Sequence, residues 1–167
     1  FNFDSSSNWI NSSGGGLKFD GSNDFLDNAT NIDTLFEGID EASYGAWFKV
    51  NVNAPGSGGR LYIMSGPGAT LDLDLVMPGV DIEAVVNDGT NSAGTPAGGK
   101  NFTNAENANK WHLAVAVLNS TNLTLYIDGD AYGTTSASSI GTFGKPGNFF
   151  RIGRQSTGGA VAYWDGS

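Results

Sequence analysis

The sequence predicts an all-β protein folded as a two-sheet antiparallel sandwich. Three observations carry this: alternation at period two recurs along the chain, long stretches at helical spacing are absent, and clusters of Gly, Asn and Ser punctuate the apolar runs. Strands are expected at 16–20 and 24–27, then a short helical turn within 29–42, then strands at 43–51 and 60–65. Leu71, Leu73, Leu75 and Met77 share one parity. Pro78-Gly79 turns the chain, and with 77 facing 80 the residues Val80, Ile82, Ala84 and Val86 take the same side, which makes a hairpin with one buried face. The stretch from Asn87 to Gly99 is the longest irregular segment, and long loops on rigid sheets tend to be mobile or functional. Residues 110–118 alternate Trp111, Leu113, Val115 and Val117 with His112, Ala114, Ala116 and Leu118, so both faces are apolar and a central strand is expected. Leu123, Leu125 and Ile127 begin a second hairpin closed by Asp128-Gly129, a strong tight-turn signal. Strands at 148–153 and 160–164 follow. About eleven short strands without a fixed repeat suit two packed sheets in a single domain over 1–167, with no internal linker.

Composition narrows the function. The 167 residues are 39% hydrophobic and 11% aromatic, too apolar for a disordered chain. The absence of Cys excludes a disulfide scaffold, a thiolate metal site and a thiol nucleophile. A net charge of −9 argues against nucleic acid, which demands a basic footprint. Residues 1–90 hold thirteen carboxylates against three bases, residues 91–167 four against five, so the acidity is concentrated. No apolar run reaches the roughly 18–20 residues of a membrane span, so no membrane insertion is expected. The chain opens on Phe1 without an initiator Met, which suggests a piece of a longer polypeptide.

Four segments together, LKFDGSNDFLD (17–27), SYGAWFKVN (43–51), KWHLAVAVLNSTNLTLYIDGDAYG (110–133) and FFRIGRQ (149–155), resemble the laminin G-like domains of the concanavalin A-like lectin and glucanase superfamily. The resemblance spans nearly the whole chain and implies a jelly-roll sandwich, a fold used in adhesion, glycan-binding and particle-surface modules. It also implies a last strand of the pattern Ile-Asp-Asp/Glu-Val-Arg, whereas this chain stops at Asp165-Gly166-Ser167. A missing strand would leave a sheet edge open, a template for strand exchange with a neighbouring subunit or for a continuation of the chain.

Three constellations are candidates for chemistry. Between Lys18 and Lys49 the chain is acidic without a base, and Asp20-Gly21-Ser22-Asn23-Asp24 offers oxygens that suit a hard cation. A structural Ca²⁺ held by some of Asp20, Asp24 or Asp165 is one expectation, and simple turn residues are the other. Asp72, Asp74, Asp81 and Glu83 line the non-core face of the 71–86 hairpin, with Asp74 opposite Glu83. Such a pair suits a solvated acidic face, a cation, a sugar hydroxyl or a glycoside-hydrolysing acid pair. The jelly-roll laminarinases of the superfamily carry Glu-x-Asp-x-x-Glu on one strand, and neither strand here supplies the third carboxylate. The third constellation is aromatic: Trp47 is out of phase with Tyr44, Ala46 and Phe48, and Tyr126 shares its side with Thr124 and Asp128, so both point away from the core, where a sugar ring could stack. Trp111 shares its side with Leu113 and Val115 and is expected to be buried. His112, the one histidine, is expected to be a packed and hydrogen-bonded core residue. Five Asn-x-Ser/Thr sequons, at Asn11, Asn28, Asn101, Asn119 and Asn122, permit glycosylation in an exported setting.

The expected function is therefore a non-catalytic module on the outside of a cell or particle. Trp47, Tyr126, Asp72, Asp74 and Glu83 are its ligand residues, and its partner is a glycan or a neighbouring protein subunit. A structural module of a fibre, sheath or virion surface is the alternative, and a divergent glycosidase using Asp74 and Glu83 ranks third.

Overall fold

The structure is a computed structural model that describes residues 9–10, 15–28, 37–51, 59–65, 72–143, 150–157 and 160–166. Leu71, Asn11 and residues 29–36 of the expected helical turn lie outside the described residues, as do the side chains of Trp9, Asn28, Asp72 and Tyr163. The elements are β1 (Trp9–Ile10), β2 (Gly16–Leu17), β3 (Phe19–Asp20), β4 (Leu26–Asn28), β5 (Ala42–Phe48), β6 (Gly59–Ser65), β7 (Asp72–Met77) and β8 (Glu83–Asn87). They continue with β9 (Ser92–Gly94), β10 (His112–Leu118), β11 (Asn122–Ile127), β12 (Asp130–Ser136), β13 (Phe150–Ile152), β14 (Arg154–Thr157), β15 (Ala160–Tyr163) and β16 (Asp165–Gly166). No helix occurs among the described residues.

Two four-stranded antiparallel sheets dominate, ordered β12-β11-β10-β5 and β6-β7-β8-β9, and the remaining strands form the pairs β1-β2, β13-β4, β14-β15 and β16-β3. Alternation decides what each sheet buries. His112, Ala114, Ala116 and Leu118 of β10 are buried, and Leu113, Val115 and Val117 between them are only half-buried. Leu123, Leu125 and Ile127 of β11 join the core with Phe48, and the second sheet contributes Leu73, Leu75, Met77, Ile82, Ala84 and Val86. Each such side chain withdrawn from water contributes about 1.5–3 kcal/mol. Tyr44 spans the layers: its hydroxyl donates to the Val85 carbonyl at 3.1 Å. Burial, with Asp74 nearby, pushes its pKa well up, so it stays a neutral donor. Asp128 and Gly129 both take positive φ, 55° and 95°, and close the β11–β12 hairpin as the Asp-Gly signal predicted.

Three expectations are corrected. The β7–β8 hairpin does not pair 77 with 80: Asp74 faces Val85 and Val76 faces Glu83, because the turn takes in Val80 and Asp81 as well as Pro78-Gly79. A slip of two residues keeps Leu73, Leu75, Met77, Ile82, Ala84 and Val86 in the core, whereas Val80, expected beside them, is 40% exposed in the turn and the Asp74–Glu83 pair is lost. Trp111 is 37% exposed instead of buried, and the Lys49 ammonium sits 5.0 Å above its ring. Finally, the C-terminal residues are not an open edge: Asp165 pairs with Asp20 and Gly166 with Phe19, and Val50 bridges Gly166 on the other side. These pairings cover Asp165 and Gly166, and the preceding β15 pairs with β14.

Candidate functional site

The outer face of the β12-β11-β10-β5 sheet gathers the predicted aromatics. Trp47 faces Leu113 across β5–β10, and Tyr126 faces Val115 across β10–β11. Two strand spacings, about 10 Å, therefore separate the columns that carry Trp47 and Tyr126. Trp47 is 62% exposed and Tyr126 half-buried, with half-buried Leu113, Val115 and Val117 as the apolar floor between them. Gly45, two residues before Trp47 on the same face, pairs with Val115. A Cβ there would lie 2.6 Å from the Ala114 carbonyl oxygen, so only glycine fits, and the flank of the Trp47 ring carries no side chain. The rim is polar: the Thr124 and Thr134 hydroxyls are 3.2 Å apart, and the exposed Asp128 stands beyond Leu113, accepting its amide at 2.9 Å. Such a face can stack an apolar sugar face and hydrogen-bond its edge.

The acidic residues of β7 and β8 lie on the other sheet, and the structure does not bring them to Trp47 and Tyr126. Asp74 is 1% exposed, sealed beneath the surface, so it cannot reach a ligand from bulk water. Asp81 is buried too and holds the turn together. Its Oδ1 accepts the Ile82 amide at 2.8 Å and the Tyr132 hydroxyl at 2.5 Å, and its Oδ2 accepts the Gly99 amide at 2.6 Å. Glu83 is half-buried, and burial together with the charge of Asp81 raises its pKa. Glu83, Lys100, Val80 and Pro78 line an open cleft of about 390 Å³. Lys100 escaped the sequence reading. Its place beside Glu83 depends on the 95–100 loop folding back onto Tyr132, whose hydroxyl accepts the Lys100 amide at 2.8 Å.

The three acidic residues proposed for calcium do come near one another along the backbone, since Asp165 pairs with Asp20. Their oxygens, however, are turned to protein donors. Asp20 Oδ1 accepts the amides of Ser22 at 2.8 Å and Asn23 at 3.2 Å, and the Ser22 contact is the foremost reason its pKa is lowered. Asp24 Oδ2 accepts the Asp20 amide at 3.0 Å, and Asp165 Oδ1 accepts the Asn51 side-chain amide. Among the described residues no three of His, Cys, Asp and Glu gather into one group that could hold an ion.

His112 is 7% exposed, as its strand face predicted. Its Nδ1 lies 2.7 Å from Asp128 Oδ2 and its Nε2 lies 3.2 Å from the Asn107 carbonyl oxygen. Each ring nitrogen thus lies within hydrogen-bond reach of an oxygen, the packed and hydrogen-bonded place the sequence predicted. Burial alone would raise the pKa of Asp128, but the hydrogen bonds from His112 and the Leu113 amide lower it. Of the sequons, Asn101 and Asn119 use their side-chain oxygens to accept the amide and hydroxyl of Thr103 and Thr121 two residues on.

Taken together, these features define a jelly-roll sandwich with an aromatic outer face. The family model described as concanavalin A-like lectin/glucanases superfamily, of the laminin G type, matches residues 10–167, and the chain belongs to that family. No curated protein sequence matches it. Among solved structures it is similar to domains LG4-5 of the mouse laminin alpha1 chain, with a TM-score of 0.59 and 15% identity over 89% of this chain and 38% of that one. It is equally similar to the receptor-binding domain of botulinum neurotoxin D, with a TM-score of 0.60 and 15% identity over 90% of this chain and 39% of that one. The serotype D ligand-binding domain solved with N-acetylneuraminic acid has a TM-score of 0.56 and 15% identity over 81% of this chain and 33% of that one. The chain thus spans about two fifths or less of each of these solved chains. No helix among the described residues is long and apolar enough to cross a membrane.

Proposed function

We propose that the chain is a non-catalytic adhesion or lectin module working outside the cell or on a particle surface, and that it binds a neutral glycan on the outer face of the β12-β11-β10-β5 sheet. The exposure of Trp47 carries the reading. A tryptophan 62% open to water, set beside an obligate glycine on an apolar floor, is a poor structural residue and a good stacking base. Family membership supports carbohydrate binding or adhesion as the class of function. The net charge of −9 disfavours acidic sugars and favours neutral ones. The glycosidase alternative rested on Asp74 opposite Glu83, and Asp74 faces Val85 instead.

A glycan array tests the reading. Signal on neutral glycans is expected, with a loss of at least tenfold in the Trp47→Ala variant, which corresponds to about 1.4 kcal/mol of binding. An array silent throughout, or one on which that variant binds as well as the parent, overturns it.

The same reading treats Asp20, Asp24 and Asp165 as turn caps and not as calcium ligands. A bound ion would stabilise the fold by mass action, by about 2.7 kcal/mol at a hundred times its dissociation constant. Thermal unfolding in EDTA and in millimolar Ca²⁺ is expected to give one and the same midpoint. A rise of several degrees with calcium would restore the metal.

A further inference from the structure

The cleft between the β7–β8 turn and the 95–100 loop lies on the other sheet from the Trp47 face and has its own chemistry. Its volume of about 390 Å³ falls within the range of small-ligand sites, roughly 300–1,000 Å³. Pro78, Val80 and Ala97 give it an apolar wall, with Val80 itself 40% exposed. Three side chains that can hydrogen-bond line it, Asp81, Glu83 and Lys100, and Asp81 is already taken up by the turn and the loop. Their situations differ. Neighbouring Asp81 takes three hydrogen bonds, whereas the Glu83 carboxylate takes none from the described residues, although it is half-buried. A half-buried acceptor without a protein donor is open to an incoming O–H or N–H. Burial and Asp81 already push the Glu83 pKa up, the direction expected of a carboxylate short of donors. Lys100 is held in place, its ammonium 3.8 Å from Asp128 Oδ2 and 5.2 Å above the Phe102 ring.

The charges select the ligand. Asp81, Glu83 and Asp128 outnumber the one lysine, a balance that repels a carboxylate or phosphate, while the three hydrogen bonds held by Asp81 and the Lys100–Asp128 contact leave Glu83 as the carboxylate open to a neutral donor. A hydroxyl is both donor and acceptor, so adjacent hydroxyls can donate to Glu83 and accept from Lys100 while the C–H face of the ring rests on Val80 and Pro78. We propose that this cleft is a second binding subsite, for a single neutral pyranose unit, in which Glu83 and Lys100 read a pair of neighbouring hydroxyls. It does not depend on the Trp47 face.

The test is a titration of the ¹⁵N-labelled protein with methyl glycosides of glucose, galactose, mannose and N-acetylglucosamine, followed at the amides of Gly79, Val80, Glu83, Gly99 and Lys100. Saturable shifts with a dissociation constant of about 1–10 mM are expected for at least one of them, a usual strength for one sugar ring. Glu83→Ala and Lys100→Met are each expected to weaken that binding at least tenfold. Glu83→Gln, which keeps an acceptor oxygen, should recover part of it, and Trp47→Ala should leave it unchanged. The subsite is refuted if none of the four glycosides moves these amides, if the shifts survive in Glu83→Ala with its melting temperature intact, or if acetate or methylammonium binds there more tightly than any glycoside. A silent cleft beside an array signal lost in Trp47→Ala overturns the subsite alone. A responsive cleft beside an array indifferent to Trp47 overturns the face alone.

Discussion

Replacing Phe48 with alanine is expected to cost the fold about 4 kcal/mol, within the range for truncating a fully buried Phe. Phe48 is 0% exposed and sits at the meeting point of an aromatic cluster. Its ring lies edge-on to Phe102 at 5.3 Å and to Trp164 at 6.1 Å, and tilted against His112 at 5.6 Å. Edge-to-face pairs add about 0.5–1.5 kcal/mol each beyond the area they bury, so the loss exceeds simple transfer of one side chain. The neighbouring residue on the same strand supplies the control. Trp47 points the other way, and Trp47→Ala is expected to change stability by no more than about 0.5 kcal/mol. Urea unfolding of the two variants should therefore separate adjacent positions by about 3 kcal/mol or more, with unchanged slopes. Comparable losses at both would mean that Trp47 is packed against something and is not a binding surface.

The same alternation made much of this legible in advance. Period two placed Phe48 inside and Trp47 outside, and it assigned Leu73, Leu75, Ile82 and Ala84 to one core, because a strand face is a local property. Register is not local. Pairing 77 with 80 or with 82 puts the same residues on the same side, so only the observed turn could show that Asp74 faces Val85. Trp111 failed for a related reason: β10 is apolar on both faces, and the pattern could not say which one meets the core until His112 and the alanines were seen to take it. The closure of Asp165 and Gly166 by Phe19 and Asp20 joins opposite ends of the chain, which no short-range pattern encodes. The cleft was hidden likewise. Glu83 and Lys100 face it only because a glycine-rich loop folds back onto Tyr132, and there the backbone, not the side-chain pattern, carries the geometry.

That fold-back rests on Asp81, and Asp81→Ala is expected to destabilise the protein by about 3 kcal/mol. Three donors lose their acceptor at once: the Ile82 amide in the β7–β8 turn, the Gly99 amide in the loop, and the Tyr132 hydroxyl on β12. Each buried donor left unsatisfied costs about 1–3 kcal/mol, less whatever water recovers on entering the truncated site. Relaxation cannot recover the whole, because the loop is fitted to the ring: a Cβ at Gly98 would come within 2.5 Å of Tyr132, so Gly98 lies flat against it. Tyr132→Phe removes one of the three bonds and the acceptor of the Lys100 amide, and should cost about 1–1.5 kcal/mol alone. Since the two residues share a hydrogen bond, the double variant should fall short of the sum by at least about 0.5 kcal/mol, a coupling that independent sites do not show. Amide hydrogen exchange at Gly99 and Lys100 should quicken in Asp81→Ala more than at Leu125, deep in the other sheet, because the loop loses its anchor while the core keeps its packing. If Asp81→Ala costs less than about 1 kcal/mol, or if its effect simply adds to that of Tyr132→Phe, then Asp81 does not hold the loop and the wall that carries Lys100 owes its position to something else.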